Sequence, residues 1–264
     1  MTTPPINTNE AKNKVRAQYG AVGDAYVKSV GHATGNDLQR MVELSAPQPT
    51  ERLLDIGTGG GHVARVFAPH VAEVVATDLT PEILTHAAAS FADHGLANIS
   101  TAIADAEDLP FADASFQLVT CRIAPHHFPN PAAFVNEVAR VLAPGGRFVL
   151  IDSTVPEGAA GEFLNQFEAL RDPSHVRSLQ VTEWKALIAA SGLHLQQAES
   201  FAKRHDIDDW TTRSGMSAED RQTLESMMVG ASLAMQEQFQ AEISNGRLRA
   251  FSDTKTLFLA TRPK

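Results

Sequence analysis

The chain has 264 residues, 43% of them hydrophobic and 20% charged. That composition excludes a disordered tail or a fibre and suffices for a buried core without staples. The one cysteine, Cys121, cannot build an intramolecular disulfide or a zinc ribbon. A net charge of −9, from 22 basic against 31 acidic residues, leaves no basic excess to displace counterions, so a nucleic-acid backbone is not the expected partner. Apolar runs such as residues 148–151 fall far short of a membrane span, and the polar first 12 residues lack a signal-peptide core. A soluble, cytoplasmic protein is the expectation.

Residues 1–50 stand apart, with an amphipathic stretch over 12–26 and a Pro-containing connector over 46–50, and are expected to form an N-terminal helical lid. From residue 51 to 264 the pattern predicts one α/β core. A buried strand over 52–56 runs into glycines and a helical pattern. A second strand over 73–77 ends at Asp78. Thr80-Pro81-Glu82 then opens a helix, Thr80 as cap and Pro81 at the first helical position, and Gly95 closes it. Strands over 99–104 and 116–123, a helix over 132–142 introduced by Asn130-Pro131, and a strand over 147–152 follow. Five strands separated by helices predict a doubly wound, mostly parallel sheet. A helix over 182–190, a strand over 193–201 and a terminal strand over 254–261 complete the core. Helical insertions over about 159–180 and 204–246, the second with a long helix starting near Ser217, are expected to cap the end of the sheet.

Ligands of an open parallel sheet bind beyond the carboxyl ends of its strands. Three successive strand ends here carry acids: Asp55, Asp78 and Asp105. After the first lies Gly57-Thr58-Gly59-Gly60-Gly61-His62, where glycines let the chain turn sharply and a ligand approach the backbone. The dinucleotide pattern G-x-G-x-x-G/A fails at its sixth position, which is His62, and Asp55 would repel a pyrophosphate. Asp78 lies 21 residues beyond Gly57, the spacing of an acid that binds ribose hydroxyls. Asp105 can accept from an exocyclic amine. Together these describe a nucleoside with a cationic tail and no phosphate, which is S-adenosylmethionine.

The segments LLDIGTGGGH, VVATDLT, IADAEDLPF and LAPGGRFVLID resemble the successive motifs of class I methyltransferases, most closely the ubiquinone/menaquinone-biosynthesis type. The resemblance covers about residues 51 to 155. It implies a seven-stranded Rossmann-like sheet with an antiparallel last strand, and methyl transfer to a small molecule. It also implies that Gly57, Gly59 and Gly61 lie under the methionine portion, that Asp78 binds the ribose with Leu79 on the adenine face, and that Asp105 and Ala106 lie by the adenine. The segment from Arg122 to Phe128 then lies where methyl donor and acceptor meet, and Arg122 is counted with the cofactor residues.

In that segment His126 and His127 are candidates for the base that takes a proton from a hydroxyl acceptor; the competing reading is that they cap or pack. No third ligand at suitable spacing makes them a metal site. Arg171, His175 and Arg177 could hold an anionic substrate group, or form a helix–turn–helix joint. Tyr19 and Tyr26, seven residues apart, share a helical face; either could touch the cofactor carboxylate or pack the lid on the core. Met227, Met228, Met235, Phe239, Phe163 and Phe167 suggest a hydrophobic acceptor if they line its pocket, and ordinary core otherwise. The alternatives to a methyltransferase are an NAD-dependent oxidoreductase and a non-methylating S-adenosylmethionine-binding protein.

Overall fold

In the computed structural model, β1 (Arg52–Ile56), β2 (Glu73–Asp78), β3 (Ile99–Ile103), β4 (Phe116–Arg122) and β5 (Leu142–Thr154) form a parallel sheet. The structure describes residues 8–27 and 36–264, with side chains described for 8–20 and 36–264. The sheet continues through β8 (Arg247–Thr261), antiparallel to both neighbours, to β6 (His194–Asp206) at the edge, giving the order β3-β2-β1-β4-β5-β8-β6. A short β7 (Glu242–Ser244) hairpins onto β8 and adds an eighth strand to the seven expected.

Helices α1 (Thr8–Val27), α2 (Asn36–Ser45), α3 (His62–Phe67), α4 (Pro81–Asp93), α5 (Pro131–Val141) and α7 (Val181–Ala190) surround the sheet. The insertions are built from α6 (Ala159–Arg171), then α8 (Ile207–Arg213), α9 (Ala218–Val229) and α10 (Leu233–Gln238). The connection from β3 to β4 contains no helix, contrary to the alternation expected there. The local signals act as follows. Asn130 accepts from the Ala133 N–H at 3.1 Å and caps α5, and Ser217 caps α9. Thr80 stands at the cap position of α4 without a side-chain cap bond; the Thr80 N–H instead meets Asp78 Oδ1 at 3.0 Å.

Alternation along the strands makes two cores, one on each face. Leu54, Ile56, Phe148, Leu150 and Phe258 pack with α5 and α7; Leu53, Val149, Ile151 and Leu257 pack with α2, α3 and α4. β6 and β8 are longer than expected and reach past the parallel strands. Their extension carries Leu248 and Phe251, which pack with Phe167, Trp210, Leu224, Met228 and Phe239 into a third core shared by both insertions. Residues 204–206, counted with the second insertion, are the end of β6.

Two residues tie the first strand to its surroundings. Asp55 is buried, and its carboxylate accepts from Thr58 Oγ1 at 2.6 Å and from Thr120 Oγ1 on β4 at 2.8 Å. Burial raises its pKa to about 6, against the opposing pull of those hydroxyls. Gly61 has φ +77°, and a Cβ there would lie 2.3 Å from the Phe91 ring of α4, so the loop and the helix meet only because that atom is missing.

Gly61→Ala should lower stability by about 3 kcal/mol through left-handed strain and overpacking, read as a reduced urea midpoint; an unchanged midpoint would contradict the close approach. Asp55→Asn tests the buried charge. A folded pKa above the ordinary value means that Asp55 supports the fold below pH 4 and that this support is lost as pH rises through about 6. The stability of Asp55→Asn relative to the parent should therefore rise between pH 4 and 7.5, by up to about 3 kcal/mol in paired urea melts. A difference independent of pH would show that Asp55 titrates normally.

Candidate active site

The carboxyl ends of β1, β2 and β4 open into a cavity with about 1460 Å³ of empty space, its mouth included. The glycine loop forms one wall. Gly57, at φ +64°, approaches the segment after β4 so closely that a Cβ would stand 2.8 Å from the Ala124 Cβ. Gly57, Thr58, Gly59 and Gly60 line the cavity. Asp55 and Gly61 do not: Asp55 braces the loop from behind through its two threonines, and Gly61 faces Phe91. The sequence shows an acid at this strand end but not the direction of its side chain.

Asp78 lies in the wall, with Oδ2 accepting from the Gly59 N–H at 3.1 Å, so one carboxylate holds the loop and faces the cavity. Burial raises its pKa, opposed by backbone N–H donors from Thr80, Gly59 and Leu79. Leu79, Asp105 and Ala106 share this wall. Asp105 Oδ2 also takes an ion pair from Lys12 of α1 at 2.7 Å, and Lys12 meets Glu107 at 2.7 Å. Burial works against the Lys12 charge, but these two carboxylates outweigh it and hold its pKa above the ordinary lysine value.

Beyond β4, Ile123 has φ +53°, a left-handed conformation that is strained for a β-branched residue, and it lines the cavity. A single 3₁₀ turn, Pro125–His127, then presents both histidines. His126 Nδ1 lies 2.6 Å from Asp152 Oδ1, and Asp152 is wholly buried. His127 Nδ1 lies 3.0 Å from the Ser174 carbonyl oxygen, and its Nε2 lies 2.8 Å from the Tyr19 hydroxyl of α1. Tyr19 also approaches Asp172 Oδ2 at 3.4 Å. The side chain of Tyr26 lies outside the described residues. Arg122 lines the cavity and donates from Nε to Asp37 of α2 at 2.7 Å.

The far wall comes from β6, β8 and the insertions. Lys203 and His205 of β6, Lys255 of β8, Ser153, Glu168, Trp210 and Arg213 all line it. Lys255 is buried and bonds Ser153 Oγ at 2.5 Å and Asp253 Oδ2 at 2.7 Å. Burial and the neighbouring Lys255 and Arg122 charges lower the Lys203 pKa to about 8. Of the three residues expected to hold an anion, Arg171 reaches the cavity, donating to the Trp210 carbonyl at 3.2 Å with its guanidinium 4.8 Å from the indole. His175 instead contacts Asn165 Oδ1 at 3.0 Å, and Arg177 turns outward to Glu183 at 2.8 Å; neither is in the wall. The methionines and phenylalanines of the insertions pack in the third core and are absent from the wall, which removes the basis for expecting a hydrophobic acceptor. Sequence reasoning missed Lys12, Asp152, Lys203, His205 and Lys255. The only available signal was charge recurring at every second position of a strand, as in Asp253 and Lys255, where a buried face would be apolar.

A family model described as a methyltransferase domain matches residues 54–150. The methyltransferase YcgJ of Bacillus subtilis, itself uncharacterized, is 40% identical over 188 residues, 71% of this chain and 74% of its own length. Its crystal structure superposes with a TM-score of 0.84 at 34% identity, covering 87% of this chain and 99% of that one. A proposed methyltransferase of Bacillus halodurans matches with a TM-score of 0.85 at 38% identity, covering 87% of this chain and all of the other. The fold is also that of the Haemonchus contortus phosphoethanolamine N-methyltransferase 2 solved with S-adenosyl-L-methionine, at a TM-score of 0.66 and 18% identity over 96% of this chain and 60% of that one. These findings set aside the oxidoreductase reading: the chain belongs to the class I S-adenosylmethionine-dependent methyltransferases.

Proposed function

We propose that the protein transfers the methyl group of S-adenosylmethionine to a small acceptor with a polar, ionisable group, bound between the histidine turn and the β6/β8 wall. The observation that carries this reading is one continuous cavity bearing Asp78, Asp105 and the bare Gly57–Gly60 backbone at one end and His126, Lys203 and Lys255 at the other.

The donor set fits the adenosyl sulfonium. Asp78 supplies carboxylate oxygens for ribose hydroxyls, and Asp105 an acceptor for the adenine amine. Leu79 and Ala106 supply apolar contact for the base, and the glycine loop admits the methionine portion. Asp55 acts indirectly, by holding the loop. When bound, the cofactor supplies an electrophilic methyl group on a cationic sulfur. What remains for the chain is alignment and proton removal. The strained turn at Ile123 aims the histidines across the cavity, and α1 covers it with Lys12, Val15 and Tyr19. In this reading α1 serves as the lid expected at the N-terminus while α2 packs on the sheet face, and Tyr19 serves the histidine side of the cavity rather than the cofactor carboxylate. The β6/β8 wall is charged, so an acceptor carrying its own polar or charged group replaces the hydrophobic metabolite expected from the insertions.

Isothermal titration tests the reading. S-adenosylmethionine and its demethylated product should bind with a stoichiometry of one, NADH should not bind, and Asp78→Ala should weaken the cofactor at least about tenfold, the loss of roughly 1.4 kcal/mol or more expected for a charged hydrogen-bond acceptor. Failure of both adenosyl ligands to bind the parent protein would end the proposal.

A further inference from the structure

The two histidines of the 3₁₀ turn are bound differently, and the difference identifies which of them can take a proton. His127 donates from Nδ1 to the Ser174 carbonyl at 3.0 Å. Ser174 Oγ, 3.2 Å from the same nitrogen, spends its own proton on Asp172 Oδ1 at 2.5 Å and so can only accept from the ring. The proton therefore sits on Nδ1, and Nε2 is occupied by the Tyr19 hydroxyl at 2.8 Å, whose one proton is shared between this nitrogen and Asp172 Oδ2 at 3.4 Å. The lone pair of His127 is sealed by α1.

His126 faces the same choice with a different result. Its Nδ1 lies 2.6 Å from Asp152 Oδ1. Burial pushes Asp152 up to about 7; above that pH it is an ionised carboxylate and acceptor only, so Nδ1 carries the proton and Nε2 keeps its lone pair. That nitrogen has no hydrogen-bond partner among the described residues, and the ring lines the cavity with its side chain 13% exposed. The Asp152 side chain is wholly inaccessible, and its second oxygen, Oδ2, has no hydrogen-bond partner among the described residues. A buried carboxylate oxygen left unpaired is costly. Its Oδ1 accepts from the ring that faces the reaction space, and backbone N–H groups of Ser153 and His126 also donate to the carboxylate.

We propose that Asp152 is a positioning residue that holds His126 as its Nδ1–H tautomer, making His126 Nε2, and not His127, the proton acceptor for a hydroxyl or amine methyl acceptor. The identity of the reaction rests on the methyl-transfer reading above; the tautomer does not. In the step, the acceptor's O–H or N–H bond breaks and its proton bonds to His126 Nε2. The acceptor atom forms the bond to the methyl carbon with a pair of its own electrons, and the pair of the broken S–C bond stays on sulfur. The imidazolium produced lies against Asp152, whose charge it neutralises, as in other sites where a buried carboxylate orients a histidine base.

Nitrogen-15 NMR of the full chain labelled at histidine reads the tautomer directly and needs no acceptor. His126→Asn identifies the resonances by their loss. At pH 8 the parent should show His126 with a pyrrole-like Nδ1 and a pyridine-like Nε2. In Asp152→Ala, which removes the acceptor at Nδ1, the Nδ1–H preference should be lost and an Nε2–H population should appear, with S-adenosylmethionine affinity by titration kept within about threefold, under about 0.7 kcal/mol. A parent spectrum with Nε2–H at His126 would overturn the proposal, even if Asp152→Ala failed to fold. An unchanged Nδ1–H pattern in a folded Asp152→Ala would overturn it as well. Loss of cofactor binding by the parent would sink the methyl-transfer reading while leaving the tautomer assignment standing.

Discussion

Lys255 is an ammonium group with almost no access to water, and the region around the cavity is organised to keep it charged. Burial opposes the charge, yet Asp253 beside it, with Glu168 and Asp152 nearby, raises its pKa above the ordinary value. The same burial pushes Asp152 up to about 7 and raises Glu168, with Lys255 pulling both back down. None of these charges would be tolerated alone in a low-dielectric interior. They persist because β5 and β8 set Ser153 directly opposite Lys255, and β6 and β8 set Lys203 opposite Asp253. The charge cluster is thus a product of strand register. The third hydrophobic core fastens both insertions over the extended strands beside it.

The glycine-loop end of the cavity, proposed above for the cofactor, was legible in the sequence because its parts are local. A glycine at positive φ and an acid at the end of a strand can be read from a few consecutive residues. Even there, Asp55 shows the limit. Sequence gives its charge and position, but only packing shows that Thr58 and Thr120 capture its oxygens on the side away from the cavity. Arg177 failed for the same reason, since a cation near an expected pocket turned toward the nearer glutamate.

The opposite end was legible only in His126, His127 and Arg171, because the rest of it is assembled from residues far apart in the chain. Its histidine turn follows β4, its carboxylate lies in β5, and its lysines come from β6 and β8. The polar alternation in β6 reads as a solvent-facing edge strand, and the insertions that cover its end come from two other stretches of sequence. The apolar residues of those insertions read equally as pocket lining or as core. Only the extension of β8, with Leu248 and Phe251, gives them a surface to pack on and turns the choice to core.

Because the β6/β8 wall is a hydrogen-bonded ladder and not a loop, its chemistry is quantised. Lys203 and His205 face inward only while the pairing Lys203↔Asp253 and His205↔Phe251 holds. Sliding either strand by one residue would exchange the whole inward set for the outward one. Single side chains at alternate positions can be replaced without disturbing the ladder, but an insertion or deletion within β6 or β8 would dismantle the charge cluster at once. The changes this wall tolerates are therefore point substitutions along two strands, with length changes confined to the helices above them.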